Sequence, residues 1–212
     1  AYCYAGVDGG LFVRRNSVWT KISEDTDLFD TTGDVHIAMS DNGDVIATYT
    51  TTHFLIATWN DDQYAIERIG LNDNVDLSNA SVMVSGSGSV AVIKYSDTYD
   101  NNDWIYAYKN GKTVGSVHGV ETGRVGSMAL SKDGNYFALT DITNKNVRLY
   151  SNYLESNSEY TVVFDTLTAP KTISLAFSKD KLYVVSGNNS SDNGWYWLDT
   201  KQTIHYNTLY GQ

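Results

Sequence analysis

The chain has 212 residues, a formal net charge of −10, and 42% hydrophobic against 19% charged residues. This apolar content predicts a folded chain and excludes an intrinsically disordered one. The single cysteine, Cys3, excludes an intrachain disulfide and a cysteine-based metal site. Since the chain contains no apolar run of about 18 residues and few basic residues, we expect neither membrane insertion nor a nucleic-acid partner.

The first predicted unit, residues 1–26, contains three short strands with the sequences YCYAGV, LFVRRN and SVWTKIS. Arg14 and Arg15 are adjacent in the second strand, so their side chains point to opposite faces. One of the two must therefore leave the sheet or pair with an acid. We interpret them as a sign of an exposed or incomplete sheet and not as a binding motif.

Four repeats follow, each with an apolar strand, a serine, a tight polar turn and a second apolar strand. The turn serines are spaced by 45, 46 and 47 residues, at Ser40, Ser85, Ser131 and Ser178. A variable loop and two further strands complete each repeat, and the third strand ends on or near an aromatic residue. A fixed period in this range, with strand signals only, is typical of β-propeller blades, which are sheets arranged around an axis.

Glycine at the turns supports this pattern, because tight hairpins need residues that tolerate positive φ. The first three turns contain Asn42-Gly43, Gly86-Ser87-Gly88 and Asp133-Gly134. The fourth, Lys179-Asp180-Lys181, has no glycine, and we expect it to be the least ideal. No segment keeps a helical period over a dozen residues, so no helix is predicted.

The predicted fold is all-β, a small β-propeller of about five four-stranded blades with an incomplete first blade. The chain is expected to form one domain, with blades at approximately 1–26, 34–70, 80–118, 126–165 and 171–208. Only four residues follow Thr208, so we expect that the usual C-terminal strand exchange does not close the ring. Because the chain starts at Ala1 without a signal peptide, we expect a processed protein, an assembly subunit or a part of a longer chain.

Two pairs of segments, SMALSKDGNYFALTD with NVRLYSN and ISLAFSKDKLYVVSG with WYWLDT, resemble WD40-like and FG-GAP-like β-propeller repeats. The Gly-His and Trp-Asp dipeptides of WD40 blades and the D-x-D-x-D-G calcium loops of FG-GAP repeats are missing. The opening GVDGGLFVRRNSVWTKI looks like blades of bacterial and viral surface propellers. The resemblance implies a propeller fold, a binding role and an extracellular or virion-surface location, without a specific ligand.

Ten of the 25 acidic residues fall in loops that a propeller would place at one end, around three neighbouring blades. Such a cluster creates a negative field, which favours a cation, a basic partner or a polar ligand. The alternative is a set of solvated loops that keeps the protein soluble. The candidate ligand-binding acids in these loops are Asp27, Asp76, Asp100 and Asp103.

Calcium is the cation that these loops fit best, because hard cations bind several carboxylate and carbonyl oxygens at close range. The candidate ligands are Asp97, Asp100 and Asp103, in the sequence DTYDNND. Their spacing does not match an EF-hand loop, and the distal glutamate of such a loop is missing. We therefore expect no resident metal or cofactor, with calcium as the alternative.

Three aromatic residues are predicted in or beside the loops between the second and third strands of the third and fifth blades, namely Tyr99, Trp104 and Trp195, with Asn193 close to the last. Exposed rings beside asparagine and aspartate are typical of sugar sites, where a ring face stacks on C–H groups and polar side chains bind hydroxyls. The alternative is that Trp104 and Trp195 only begin the third strand of their blades and cap the core.

We expect a recognition or scaffold propeller without catalytic activity that presents its loops to a protein or a glycan, in a cell-surface or virion attachment assembly. The first alternative is a lectin-like carbohydrate-binding module that uses Trp104 and Trp195. The second is an arabinanase-like glycoside hydrolase with Asp27, Asp76 or Asp103 among its carboxylates. No nucleophile motif is present, and the short loops are expected to leave little room for a catalytic cleft.

Overall fold

The computed structural model describes residues 2–5, 10–23, 36–100, 102–109, 112–118, 125–144, 146–151, 160–164, 172–178, 181–187, 194–199 and 204–208. Within these ranges the chain forms nineteen β-strands and no helix. No helix that could cross a membrane therefore occurs in this part of the chain.

The strands form five antiparallel sheets, each made of consecutive strands in chain order. The first sheet contains β1 (Tyr2–Ala5), β2 (Leu11–Arg15) and β3 (Val18–Ser23). The second contains β4 (Ala38–Met39), β5 (Val45–Tyr49), β6 (His53–Asn60) and β7 (Gln63–Gly70). The third contains β8 (Val75–Val84), β9 (Val90–Asp97), β10 (Asp103–Lys109) and β11 (Lys112–His118).

The fourth sheet contains β12 (Val125–Leu130), β13 (Tyr136–Asp141), β14 (Asn146–Ser151) and β15 (Tyr160–Phe164). The fifth contains β16 (Thr172–Ser178), β17 (Lys181–Gly187), β18 (Gly194–Asp199) and β19 (Ile204–Thr208). Four sheets thus have four strands, and the first has three in the described part of the chain. This arrangement confirms the predicted fold class. In each four-stranded sheet, we label the strands a to d in chain order.

Hydrophobic clusters fill the space between each sheet and the next, as in the blades of a propeller. Leu11 of β2 lies in one cluster with Ile46 of the second sheet. The other clusters join the second sheet to the third, the third to the fourth, and the fourth to the fifth, through Phe54 with Ile93, Ile105 with Phe137, and Leu149 with Leu182. Inner strands such as β5 are mostly apolar, and four of the five residues of β5 are buried, because neighbouring sheets cover both of its faces.

The first three turns between strands a and b share one hydrogen-bonding scheme. Ser40, Ser85 and Ser131 are each only 1% exposed. Their hydroxyl oxygens accept hydrogen bonds from the backbone N–H five residues later, at 3.0, 3.1 and 2.8 Å. A glycine with φ between 75° and 76° lies inside each turn.

Residues 179 and 180 of the fourth of these turns, which lacks the glycine and was expected to be the least ideal, lie outside the described residues. Ser178 is exposed, and it pairs directly with Lys181 across a two-residue connection. Because this turn is two residues shorter than the other three, Ser178 has no amide five residues later inside the turn to bind.

Candidate functional site

The hairpin connections sort the turns and loops to two ends of the sheets. The a–b and c–d turns lie at one end, which we call the turn face, and the b–c loops lie at the other, which we call the loop face. The a–b turns of three successive sheets touch, since the N–H of Asp41 donates to the carbonyl oxygen of Gly86 at 3.0 Å and that of Ser87 donates to Lys132 at 2.8 Å. These three a–b turns therefore form a continuous surface.

At the loop face, Asp97 holds its own loop together. One of its carboxylate oxygens accepts the backbone N–H of Tyr99 at 2.8 Å, and the other accepts the indole N–H of Trp104 at 3.0 Å. The Trp104 ring stacks on Tyr106, with ring centroids 5.7 Å apart. Trp104, the second residue of β10, is therefore fixed against the core side of its blade.

Asp103 is buried between two sheets. Its carboxylate accepts the hydroxyl of Ser96 at 2.7 Å and the backbone N–H of Val125 at 2.6 Å. Ser96 belongs to the third sheet and Val125 begins the fourth. The side chain thus links two blades, and its oxygens point at protein donors rather than into solvent.

Among the remaining predicted site residues, Tyr99, Asp100 and Asp76 are described, and they lie at the loop face. Tyr99 is 86% exposed and Asp100 is also exposed. Asp76 accepts hydrogen bonds from Ser78, which hold the pKa of its carboxyl below the usual value. Asp27 and Asn193 lie outside the described residues, and for Trp195 only the backbone, in β18, is described.

The candidate calcium ligands do not converge on a common point. In the described part of the chain, no group of three His, Cys, Asp or Glu side chains is placed so that it could hold a metal ion. Two of the three candidates, Asp97 and Asp103, are buried and accept hydrogen bonds from the protein. At least two acidic side chains of these loops therefore stabilise the loop structure by accepting hydrogen bonds from the protein.

A cleft of about 490 Å³ lies at the turn face between the first and second sheets. This volume is within the range of small-ligand pockets, about 300 to 1,000 Å³. Strands β2 and β3 form one wall, and β6 and β7 with the turn between them form the other. The lining side chains include Val13, Arg15, Val18, Trp59, Gln63 and Tyr64.

Arg15 is one of three charged side chains that line this cleft, together with Lys21 and Asp62. Its guanidinium forms an ion pair with Asp44 and lies over the ring of Trp59, 4.3 Å from the ring centroid. The hydrogen bond to Asp44 raises the pKa of Arg15 above its usual value, so the group stays charged. Trp59 and Tyr64 meet edge to face at 5.0 Å, and the Tyr64 hydroxyl donates to the carbonyl of Gly43 at 2.6 Å. Contacts within the protein therefore already hold the side chains of Arg15, Trp59 and Tyr64 in place around the cleft.

The hairpin of β2 and β3 borders the cleft and exposes two apolar side chains. Its turn residues Asn16 and Ser17 have φ values of 50° and 67°, as a type I′ turn requires. Directly after the turn, Val18 is 63% exposed and Trp19 is 52% exposed. We call Val18, Trp19 and Lys21 the β3 patch.

Sequence reasoning missed this cleft because its two walls come from separate parts of the chain. It expected one of the adjacent arginines to pair with an acid, and Arg15 does pair with Asp44. It did not link Arg15 to Trp59, which lies in another blade. The available signal was local charge, since residues 10–23 contain three basic residues and no acidic one.

No protein-family model and no curated protein sequence matches the chain. Among solved structures, apo AztD from Citrobacter koseri matches with a TM-score of 0.60 and 13% identity over 100% of this chain and 60% of that one. A putative 6-phosphogluconolactonase from Bacteroides uniformis matches with a TM-score of 0.52 and 12% identity over 93% of this chain and 63% of that one. A prolyl endopeptidase matches with a TM-score of 0.53 and 10% identity over 95% of this chain and 38% of that one.

These likenesses show a generic β-propeller fold, and the chain spans less than two thirds of the length of each of the three structures. Two of the three proteins are named as enzymes. The expectation that this chain is not an enzyme was therefore wrong, because it relied on a fold and on loop lengths that do not exclude catalysis.

Proposed function

We propose that this propeller recognises a protein partner, which binds the turn face at the cleft and at the β3 patch beside it. The observation that carries the proposal is the exposure of Val18 and Trp19 at the cleft border. The described residues include four exposed large hydrophobic side chains, and these two are neighbours. Adjacent exposed apolar side chains next to a cavity are typical of interaction sites.

The composition of the cleft also supports a protein partner. Arginine, tryptophan and tyrosine dominate the energetically important positions of protein interfaces, and Arg15, Trp59 and Tyr64 stand together here. Hydrogen bonds to Asp44 and Gly43 already fix Arg15 and Tyr64. A partner therefore meets side chains whose rotamers are already ordered, which lowers the entropy lost on binding.

The test is selection of random peptides, displayed on phage, against the immobilised chain and two variants. Val18→Ser removes an exposed apolar side chain from the β3 patch, and Ile142→Ser removes one from the loop face, where Ile142 is 54% exposed. We expect selected peptides to bind the wild type and Ile142→Ser equally and Val18→Ser roughly tenfold more weakly, about 1.4 kcal/mol. Peptides that bind all three proteins alike, or no enrichment at all, would contradict the proposal.

A glycan bound at the loop face is the second candidate, and the exposure of Tyr99 favours it. The ring is 86% exposed and neighbours the exposed carboxylate of Asp100, a combination that suits stacking on a sugar. A glycan array probed with the wild type and with Tyr99→Ala tests this candidate. Signals that disappear in the variant would support it, and an array without signals would remove it.

A further inference from the structure

We infer that the partner is an extended, acidic protein segment that pairs with β3 as an additional strand. This inference rests on the proposed function and names the chemistry of its partner. Three features of the first sheet carry it: the open edge of β3, the side chains on either side of that edge, and the charge of the hairpin.

The edge of β3 has backbone groups that can accept a further strand. Within the described residues, β3 pairs with β2 and with no other strand. Arg15 and Val18 close the type I′ turn, so their backbone groups bond to each other. Because bonded and non-bonded pairs alternate along an antiparallel ladder, the N–H and C=O groups of Trp19 and Lys21 point away from β2.

A segment that added to this edge would place its side chains on two prepared surfaces. Val18 and Thr20 line the cleft, and Trp19 is exposed on the opposite face of the strand. Since side chains of a strand alternate between faces, every second side chain of the segment would enter the cleft and the others would cover Trp19. This is the recognition mode in which backbone bonds supply affinity and alternate pockets supply specificity.

The charge of the hairpin selects an acidic segment. Arg14, Arg15 and Lys21 lie in residues 10–23 without any acidic residue, although the whole chain has a net charge of −10. Arg15 is paired with Asp44, while no ion pair involving Arg14 or Lys21 occurs among the described residues. A lysine on an edge strand repels most incoming strands, and an acidic segment is the partner that it attracts.

The last strand of the second sheet, β7, lies at the same edge of its sheet as β3 does in the first. It is the other such strand whose side chains are described, and it does not share these features. On β7, Glu67 and Arg68 are both exposed, so its charges alternate in sign. None of its large hydrophobic side chains is exposed. The two outer strands therefore differ in apolar exposure and in charge, and β3 is the one equipped to bind.

The probes are capped peptides of about nine residues, the length of an ordinary strand. One alternates glutamate with valine, one alternates lysine with valine, and two copies of the acidic peptide are N-methylated at every glutamate or at every valine. Binding to the full 212-residue chain is measured by fluorescence anisotropy. We expect the acidic peptide to bind roughly tenfold more tightly than the basic one, and at least one N-methylated copy to lose roughly tenfold in affinity.

Three variants locate the binding. Trp19→Pro removes an outward N–H without touching the bonded pairs of the β2–β3 ladder, and Lys21→Glu reverses the charge of the patch. Arg68→Glu makes the same charge change on β7 and is the matched control. Trp19→Pro and Lys21→Glu should each weaken the acidic peptide roughly three- to tenfold, whereas Arg68→Glu should leave its affinity unchanged.

Several results would overturn the inference. These are equal binding of the acidic and basic peptides, full binding of both N-methylated copies, or equal effects of Lys21→Glu and Arg68→Glu. Self-association of the wild type that Trp19→Pro abolishes, measured by sedimentation, would make the occupant a second copy of the chain and would also overturn it. If peptides from the random selection depend on Val18 but are neutral or basic, the proposed function stands and this inference fails.

Discussion

Asp103 of the third sheet and Val125 of the fourth are joined by a hydrogen bond of 2.6 Å between a carboxylate oxygen and a backbone N–H. Asp103 is only 4% exposed, and its second oxygen accepts the Ser96 hydroxyl. One side chain thus fixes the start of β12 against the blade before it. Asp103, which the sequence suggested as a ligand-binding or catalytic residue, therefore has a structural role.

Replacing this carboxylate should destabilise the protein. Asp103→Ala leaves a buried N–H without its acceptor, and we expect the free energy of unfolding to fall by about 2–3 kcal/mol. Asp100→Ala removes only an exposed acceptor of the Asn102 N–H in the same loop and should lower it by less, about 1 kcal/mol at most. Urea unfolding followed by tryptophan fluorescence measures both. Equal effects of the two substitutions would contradict the structural task of Asp103.

The contrast between Asp100 and Asp103 shows what the sequence could and could not predict. The repeat period, the strand order and the positions of the turn serines follow from a pattern that recurs along the chain, so the fold class was accessible. Whether an acidic loop residue is solvated depends on its cross-strand partner, and Asp103 lies opposite Ser96. That register cannot be read from the number of acids in a loop.

The cleft was harder to predict from the sequence for a related reason. Arg15 meets Trp59 only because the first sheet packs on the second, and this contact is absent from the local pattern around either residue. The exposure of Trp19 was equally hidden, since SVWTKIS reads as an ordinary strand with an apolar face. Local sequence predicted the elements, whereas the surface depends on how the blades meet.

The turn serines give a prediction with a natural control. Ser131→Ala removes the oxygen that accepts the N–H of Tyr136 at 2.8 Å, and we expect a loss of about 1–2 kcal/mol in the free energy of unfolding. Ser178→Ala changes the corresponding position of the fifth sheet, where the serine is exposed in a shorter turn. It should be nearly silent in the same chemical denaturation experiment. If Ser178→Ala destabilises as much as Ser131→Ala, the hydrogen bond from Tyr136 to the Ser131 hydroxyl does not stabilise its turn.

The energetic effect of a substitution at Gly86 is expected to depend on the ion pair between Lys132 and Asp41, which lies next to it. A Cβ at this position would lie 2.8 Å from Cγ of Lys132 and 2.9 Å from a carboxylate oxygen of Asp41, and these two side chains pair at 2.6 Å. Gly86→Ala should therefore destabilise the wild type by about 1 kcal/mol and a Lys132→Ala variant by less, with a coupling of about 0.5 kcal/mol or more. A double-mutant cycle measured by thermal unfolding tests this, and additive effects would show that the pair does not constrain Gly86.

The pH dependence of the third a–b turn should reflect Asp133. Burial raises the pKa of Asp133, but hydrogen bonds from the backbone and side chain of Asn135 and from Ser131 outweigh it, so the pKa lies below the usual value. A lowered pKa stabilises the folded state above the unfolded pKa of about 4, and this contribution disappears as the pH falls through the folded value.

Asp133→Asn should isolate this contribution, because Asn42 has the same acceptor role in the second sheet. We expect the variant to be less stable than the wild type at pH 7 by a few tenths of a kcal/mol, about the size for an exposed charge, and the difference to shrink at pH 3. Urea midpoints at the two pH values provide the measurement. A difference that grows on acidification would mean that the pKa shift has the opposite sign.

The β2–β3 turn offers a stabilising substitution next to the proposed binding site. Ser17 has a φ of 67°, a left-handed conformation that is unfavourable for a residue with a Cβ, and type I′ turns strongly prefer glycine at this second position. Ser17→Gly should raise the free energy of unfolding by about 0.5–1 kcal/mol, since relief of strain exceeds the extra entropy of the unfolded chain. Thr20→Gly, in the adjoining strand, should instead lower it by about 1 kcal/mol. If both changes destabilise the protein equally in thermal unfolding, the turn does not have the geometry that sets the outward direction of the Trp19 and Lys21 backbone groups.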